Sequence, residues 1–208
     1  MTTPMPATAF ADPVPAQTLE RTAAALTAHG FAVEILDDDA AARERVKDLV
    51  PEGASVLTGA SETLRLSGID EDLNASGRYA SIRARGWALD RAKDADEIRR
   101  LLASPDVVVG SVAAVTETGS LVIASGSGSQ LPGYAGGAAR RIWIVGAQKV
   151  VPDLNTALRR VEDHALPLES ARAQAAYGQH SSIGKTLEIH EELPGRIHII
   201  LIRQPVGF

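Results

Sequence analysis

Several short segments of this 208-residue chain are apolar at successive positions rather than at every second one. Val107-Val-Val109, Leu121-Val-Ile-Ala124 and Ile142-Trp-Ile-Val145 are the clearest. An alternating strand has one wet face, whereas a strand apolar throughout must be covered on both. That is the mark of a mainly parallel sheet held between helical layers. The expected fold class is therefore α/β: a single domain with a mainly parallel central sheet flanked by helices. Segments 31–36, 54–58, 106–110, 120–124 and 141–146 are read as strands of that sheet.

The intervening segments carry helical spacing. Thr18 to His29 places Leu19, Ala23 and Leu26 on one face, and Gly30 follows as a stop. Asp37-Asp38-Asp39 supplies an N-cap for Ala40 to Leu49, which ends before Pro51. Further helices are expected from Gly59 to Leu66, with Ser61 as cap, and from Asp94 to Leu102. Others are expected from Pro152 to His164, with Leu154, Leu158 and Val161 on one face, and from Glu169 to Tyr177. Thr186–His190 and Arg196–Ile202 close the chain as strands. The opening MTTPMPATAFADPVPAQ contains prolines 4, 6, 13 and 15 and no basic or continuous apolar stretch. It reads as a flexible lead over residues 1–17 rather than a signal peptide, with the folded domain over 18–208.

Composition removes several classes of function. There is no cysteine, so disulfides, thiolate zinc sites and iron–sulfur ligation within this chain are excluded. The 21 basic against 26 acidic residues leave a net charge of −5 without a basic run, which argues against nucleic acid as a partner. No segment reaches the roughly 18 apolar residues of a membrane span. No membrane partner and a cytoplasmic location are expected. The aspartates at 37–39 read as capping residues, and His29, His164, His190 and His198 are scattered, so no metal site is assigned. No cofactor motif stands out and no cofactor is assigned.

Three polar constellations adjoin the apolar runs. In the first, Thr116-Glu117-Thr118-Gly119 forms a turn between two strands. Its Glu117 is a candidate catalytic base or nucleophile, and the same pattern fits a hairpin whose Glu faces water. The second is the loop Ser125–Gly137, with five glycines in its thirteen residues. Ser125, Gly126, Ser127 and Gly128 are candidates to cradle an anion through backbone amides and hydroxyls, and a lid is the alternative. In the third, the glycine-bounded loop 178–184 and the residue after it bring together His180, Ser181, Ser182 and Lys185. His180 is the second catalytic candidate, and the others are ligand-binding candidates together with Thr116, Thr118 and Gly119. All three loops are expected at one end of the sheet, in one pocket for a small anionic organic ligand. Arg65, Arg78, Arg83 and Arg85 are either guides for such an anion or solvated partners of Glu62, Glu71 and Asp72.

Taken in order, Val107–Ala124, Arg141-Ile-Trp-Ile-Val-Gly146 and Val150-Val-Pro-Asp-Leu-Asn-Thr-Ala157 resemble the LUD domain of the lactate-utilization protein C (LutC/YkgG) family, over about Val33 to Phe208. The resemblance implies a NagB/RpiA/CoA-transferase-like sheet with ligands at strand C-termini. It also implies an accessory role in oxidising L-lactate to pyruvate or a related small organic acid, beside an iron–sulfur partner protein, and a homo-oligomer is expected. Two alternatives remain open. One is an independent CoA-transferase-like enzyme acting through Glu117 on a phosphorylated or acyl molecule; the other is a non-catalytic oligomeric scaffold. The chain departs from the family where Ser182-Ile-Gly-Lys-Thr-Leu-Glu188 and Leu193-Pro-Gly195 replace its usual Ser-x-Thr-x-Asp-Ile-Glu and His-Gly-Pro.

Overall fold

The computed structural model describes residues 5–208. Six strands form the central sheet: β1 (Ala32–Leu36), β2 (Ser55–Thr58), β3 (Ala80–Ser81), β4 (Val107–Gly110), β7 (Arg140–Gly146) and β10 (Ile197–Ile202). Their order is β1-β10-β7-β4-β2-β3, and every neighbouring pair is parallel. The uninterrupted apolar runs have the expected cause. Along β7, Trp143 and Val145 enter one core while Ile142 and Ile144 enter the other, so none of these four faces water. Each such aliphatic side chain contributes about 1.5–3 kcal/mol on full burial.

The segment expected at 120–124 is a strand, but not of this sheet. It is β6 (Leu121–Ser125) of a second, four-stranded sheet with β5 (Ala114–Thr116), β8 (Val150–Val151) and β9 (Lys185–Ile189), in the order β8-β5-β6-β9. An apolar run records that both faces are covered, not which sheet supplies the neighbours. Here Leu121 and Ile123 face the first core, and Val122 faces a third core against helix α7 (Leu154–Arg160).

Helix α1 (Ala16–Ala28) buries Leu19 and Leu26 in the first core. Helices α2 (Asp39–Leu49), α3 (Glu62–Leu66) and α4 (Ile69–Ala75) cover the opposite face. The caps follow the sequence: Asp38 accepts from Ala41 N at 2.8 Å, Ser61 from Leu64 N at 3.4 Å, and Asp153 from Thr156 N at 2.7 Å. Helices α5 (Ile82–Ala88) and α6 (Ala95–Ala103) flank the C-terminal ends of β2 and β4. Helix α8 (Leu166–Tyr177) continues from α7 through a wider turn at Val161–Ala165.

Part of the segment read as a flexible lead is packed; Met1–Pro4 lie outside the described residues. Ala7 N donates to Asp163 O at 2.8 Å, Ala7 O meets His164 Nδ1 at 2.8 Å, and Phe10 packs edge-on against the His164 ring. Phe10 also rests on the third core. Proline spacing forbids a long helix here but leaves room for a short turn, which Thr8–Phe10 forms. Among the described residues no helix is long and apolar enough to cross a membrane.

Candidate functional site

Parallel strands present their C-terminal ends to a common edge, and the crevice beyond that edge is where open α/β sheets hold ligands. Here that edge opens onto a cavity of about 890 Å³. One wall is the ends of β2 and β4, with Thr58, Gly59, Ser111 and Ala113, backed by α5 and α6. The facing wall is the end of β6 with its following loop, α8, and residues 181–183.

Lys149 is the basic group at the floor. It ends a short turn, Ala147–Lys149, that carries the chain from β7 into β8, and its residue is 1% exposed. Its Nζ lies 2.9 Å from Thr63 Oγ1, 3.0 Å from Ser111 Oγ and 3.2 Å from Val112 O. Those hydroxyls are themselves oriented: Thr63 donates to Val206 O at 3.2 Å and Ser111 to Ile144 O at 2.6 Å. Arg160, fully buried on α7, stands behind Ala113, donating from Nη1 to Ala113 O and from Nε to Gln148 O at 3.3 Å. Its Nη2 is buried without a partner among the described residues. Among the described residues neither Lys149 nor Arg160 forms an ion pair.

Two bases buried together without a carboxylate disfavour each other's charge. Burial, then the charge of Arg160, pulls the Lys149 amine well below the ordinary lysine value. Burial brings Arg160 down to about 10, so it stays charged at neutral pH. His164 is lowered as well, by burial first and then by Arg160 and Lys149, against the Ala7 hydrogen bond.

The acids of the cavity are already occupied. Glu62 pairs with Arg65 at 2.7 Å and lies 4.0 Å from Arg172, and Glu169 holds Arg172 at 2.7 Å. The Arg65 hydrogen bond is the main reason that the Glu62 carboxyl is lowered. Arg83 pairs with Asp70 at 2.8 Å, and its guanidinium lies 4.7 Å from the Trp87 ring centroid. Trp87 and Tyr177 line the mouth and are 69% and 66% exposed, high for aromatic side chains.

The three loops singled out from sequence divide. The antiparallel pairing of β6 with β9 sets Ser125 opposite Lys185, and Gly184 N donates to Ser125 O at 3.0 Å. This brings the second and third loops together, and Ser125, Gly126, Ser127, Ser181 and Ser182 all line the cavity. Gly128 and Lys185 pack on each other beside it, outside the lining, and the exposed His180 turns to Ser170 Oγ at 3.0 Å.

The first loop stands elsewhere. Leu121 pairs with Ile189 at the other end of the same two strands, four residues from Ser125. At about 3.4 Å per residue, roughly 14 Å of strand intervenes. Glu117 meets Arg21 of α1 at 3.2 Å and donates from its backbone to Val151 O at 2.8 Å. Thr116 and Thr118 bond each other at 2.9 Å, and Thr116 Oγ1 accepts from Ser120 N. Gly119, at φ +91°, lies so close to α1 that a Cβ would stand 2.9 Å from Ala25 O. Thr116, Glu117, Thr118 and Gly119 are thus the docking turn of the second sheet on α1, and none lines the cavity. Of the three loops expected to share a pocket, the structure brings the second and third to the cavity beside Lys149 and leaves the first at the far end of β6. Among the described residues no cluster of His, Cys, Asp and Glu could hold a metal ion.

Sequence reasoning passed over Lys149 and Arg160. The available signal was a single lysine inside the apolar stretch Ile142 to Val151, where a solvated residue would be out of place.

The LUD domain family profile matches residues 19–202. A search of the curated proteins gives no match. Among solved structures, a DUF162 family protein from Deinococcus radiodurans is similar in fold. It has a TM-score of 0.54 at 13% identity, over 91% of this chain and 99% of that one. The matched residues span both sheets and the whole floor of the cavity, and by that match the chain belongs to the LUD domain family.

Proposed function

We propose that this chain binds a small organic acid in the cavity, as an accessory protein of the lactate-utilization (LutC/YkgG) type. The observation that carries this reading is the buried Lys149 at the cavity floor, with the buried Arg160 behind Ala113 and, among the described residues, no carboxylate paired with either. An unpaired buried charge costs several kcal/mol, and an entering anion offsets that cost. Arg160 supplies the standing positive field. The serines at 111, 125, 127, 181 and 182 supply a neutral polar lining around the ligand. The chain has no cysteine, so electrons taken from a hydroxy acid pass to a partner that carries an iron–sulfur cluster.

A second reading is favoured by size. About 890 Å³ is far more than a three-carbon acid fills and lies in the range of pockets that take larger ligands, about 300–1,000 Å³. The exposed rings of Trp87 and Tyr177 at the mouth suit a ligand with a planar or acyl extension, such as a phosphorylated or acyl small molecule.

A thermal-shift series with L-lactate, pyruvate, a sugar phosphate and an acyl-CoA separates the two. A ligand at 100 times its dissociation constant stabilises by about 2.7 kcal/mol. Stabilisation by lactate or pyruvate supports the first reading. Stabilisation by the acyl-CoA or sugar phosphate alone, with quenching of Trp87 fluorescence, replaces it with the second.

A further inference from the structure

Lys149 has more than position. The residue lines the cavity, and its amine is buried, stands near a second cation, and touches two hydroxyls and a carbonyl but, among the described residues, no acid. A salt-bridged lysine is held as ammonium, which has no lone pair to give. No acid among the described residues holds Lys149 in that state: burial and Arg160 both disfavour its charge, and giving up one proton leaves two N–H groups for its three oxygen contacts and one lone pair for a ligand.

We propose that Lys149 condenses with the carbonyl carbon of a small 2-oxo acid bound in the cavity, forming an imine. For the class of ligand this rests on the organic-acid reading above. The Nζ lone pair forms the C–N bond while the carbonyl π pair takes a proton, giving a carbinolamine. Nitrogen then gives up its extra proton, the carbinolamine oxygen gains one, water leaves as the nitrogen lone pair forms the C=N bond, and the resulting iminium nitrogen sheds its remaining extra proton. Amine and ketone become imine and water, with no oxidant or reductant involved.

The hydroxyls are placed for the proton traffic. Thr63 Oγ1 and Ser111 Oγ sit 2.9 and 3.0 Å from Nζ, within reach for passing a proton between the nitrogen and the departing oxygen. The charge of Arg160 behind Ala113 favours the ligand's carboxylate on the same floor.

The chain has four lysines, Lys47, Lys93, Lys149 and Lys185, which makes the test specific. The full chain is incubated with pyruvate and sodium cyanoborohydride, then analysed by intact mass and peptide mapping, with a thermal shift by pyruvate measured on the same sample. The expected result is one reduced adduct per chain, on the peptide containing Lys149, and its loss in Lys149→Met. Because mapping is done on the unaltered protein, the result stands even if that variant folds poorly. Ser111→Ala should slow adduct formation at Lys149 at least several-fold while leaving adduct formation at the other amines unchanged. A thermal shift without an adduct, or an adduct confined to the other amines, overturns the imine and leaves the binding reading intact. Absence of both overturns the two together.

Discussion

Lys149 Nζ and Ser111 Oγ lie 3.0 Å apart, joining the turn after β7 to the residue that follows β4. The contact places a basic group at the C-terminal edge of the central sheet, and the titration of that group should be visible in the stability of the whole protein. The folded amine is lowered well below 10.5 by burial and by Arg160, with His164 the other base affected by it. Between the lowered value and 10.5 the unfolded chain binds more protons, so stability rises with pH across that window. The contribution is complete above 10.5 and is lost as pH falls through the folded value. Urea unfolding from neutral pH to pH 10 should show the native protein gaining on Lys149→Met. Parallel curves for the two proteins would mean that Lys149 titrates as an ordinary lysine.

Glu117→Gln should leave ligand binding unchanged, because Glu117 stands on the α1 side of the second sheet. Its pair with Arg21 joins partly exposed side chains, so the loss of stability should be at most about 1 kcal/mol. Calorimetric titration with whichever ligand stabilises the native protein measures the first, and chemical denaturation the second. A tenfold loss of affinity would return Glu117 to the site.

Gly119→Ala meets two obstacles at once. A φ of +91° is unfavourable for a residue with a Cβ, and that Cβ would stand 2.9 Å from the Ala25 carbonyl. A destabilisation of about 1–3 kcal/mol is expected, with the second sheet lifted slightly off α1. A midpoint of denaturation within error of the native one would show that the turn yields freely.

Removing residues 1–11 takes away the Ala7 bonds to Asp163 and His164 together with the Phe10 ring. Two hydrogen bonds and a partly buried ring amount to about 2–3 kcal/mol. At about 2–4 °C per kcal/mol for a chain of this size, the melting temperature should fall by roughly 4–12 °C. An unchanged melting temperature would mean that the segment rests on the surface without stabilising it.

The central sheet was readable because a parallel strand must be apolar on both faces, and Val107–Val109 and Ile142–Val145 meet that condition without exception. Leu121–Ala124 meets it too and yet lies in the second sheet, since local composition carries no information about which strand lies alongside. Short pieces such as β5 and α4 were not separated from their loops, because three to seven residues give too few repeats to establish a period. At the site, Ser125–Ser127 and Ser181–Ser182 could be read as glycine-punctuated loops beside apolar strands, and β6–β9 pairing brings them to one cavity. Glu117 matched the same rule and sits at the far end of the same strands. Lys149 was hidden by the opposite effect. A lysine between two strands normally marks a wet turn, and only the packing around Ala147–Val151 shows that this one is dry.

The partners of Lys149 are far away along the chain: Thr63 lies 86 residues earlier, Ser111 lies 38, and Val112 lies 37. No fragment shorter than the span from Thr63 to Lys149 can therefore reproduce the surroundings of that amine. In a nascent or partly unfolded chain Lys149 is an ordinary hydrated ammonium. It becomes a dry amine only when loops of this length have closed, the slowest class of contact to form. Protection of this one amine from a water-borne acylating reagent is thus a built-in reporter of completed folding, readable by mass spectrometry in a refolding time course.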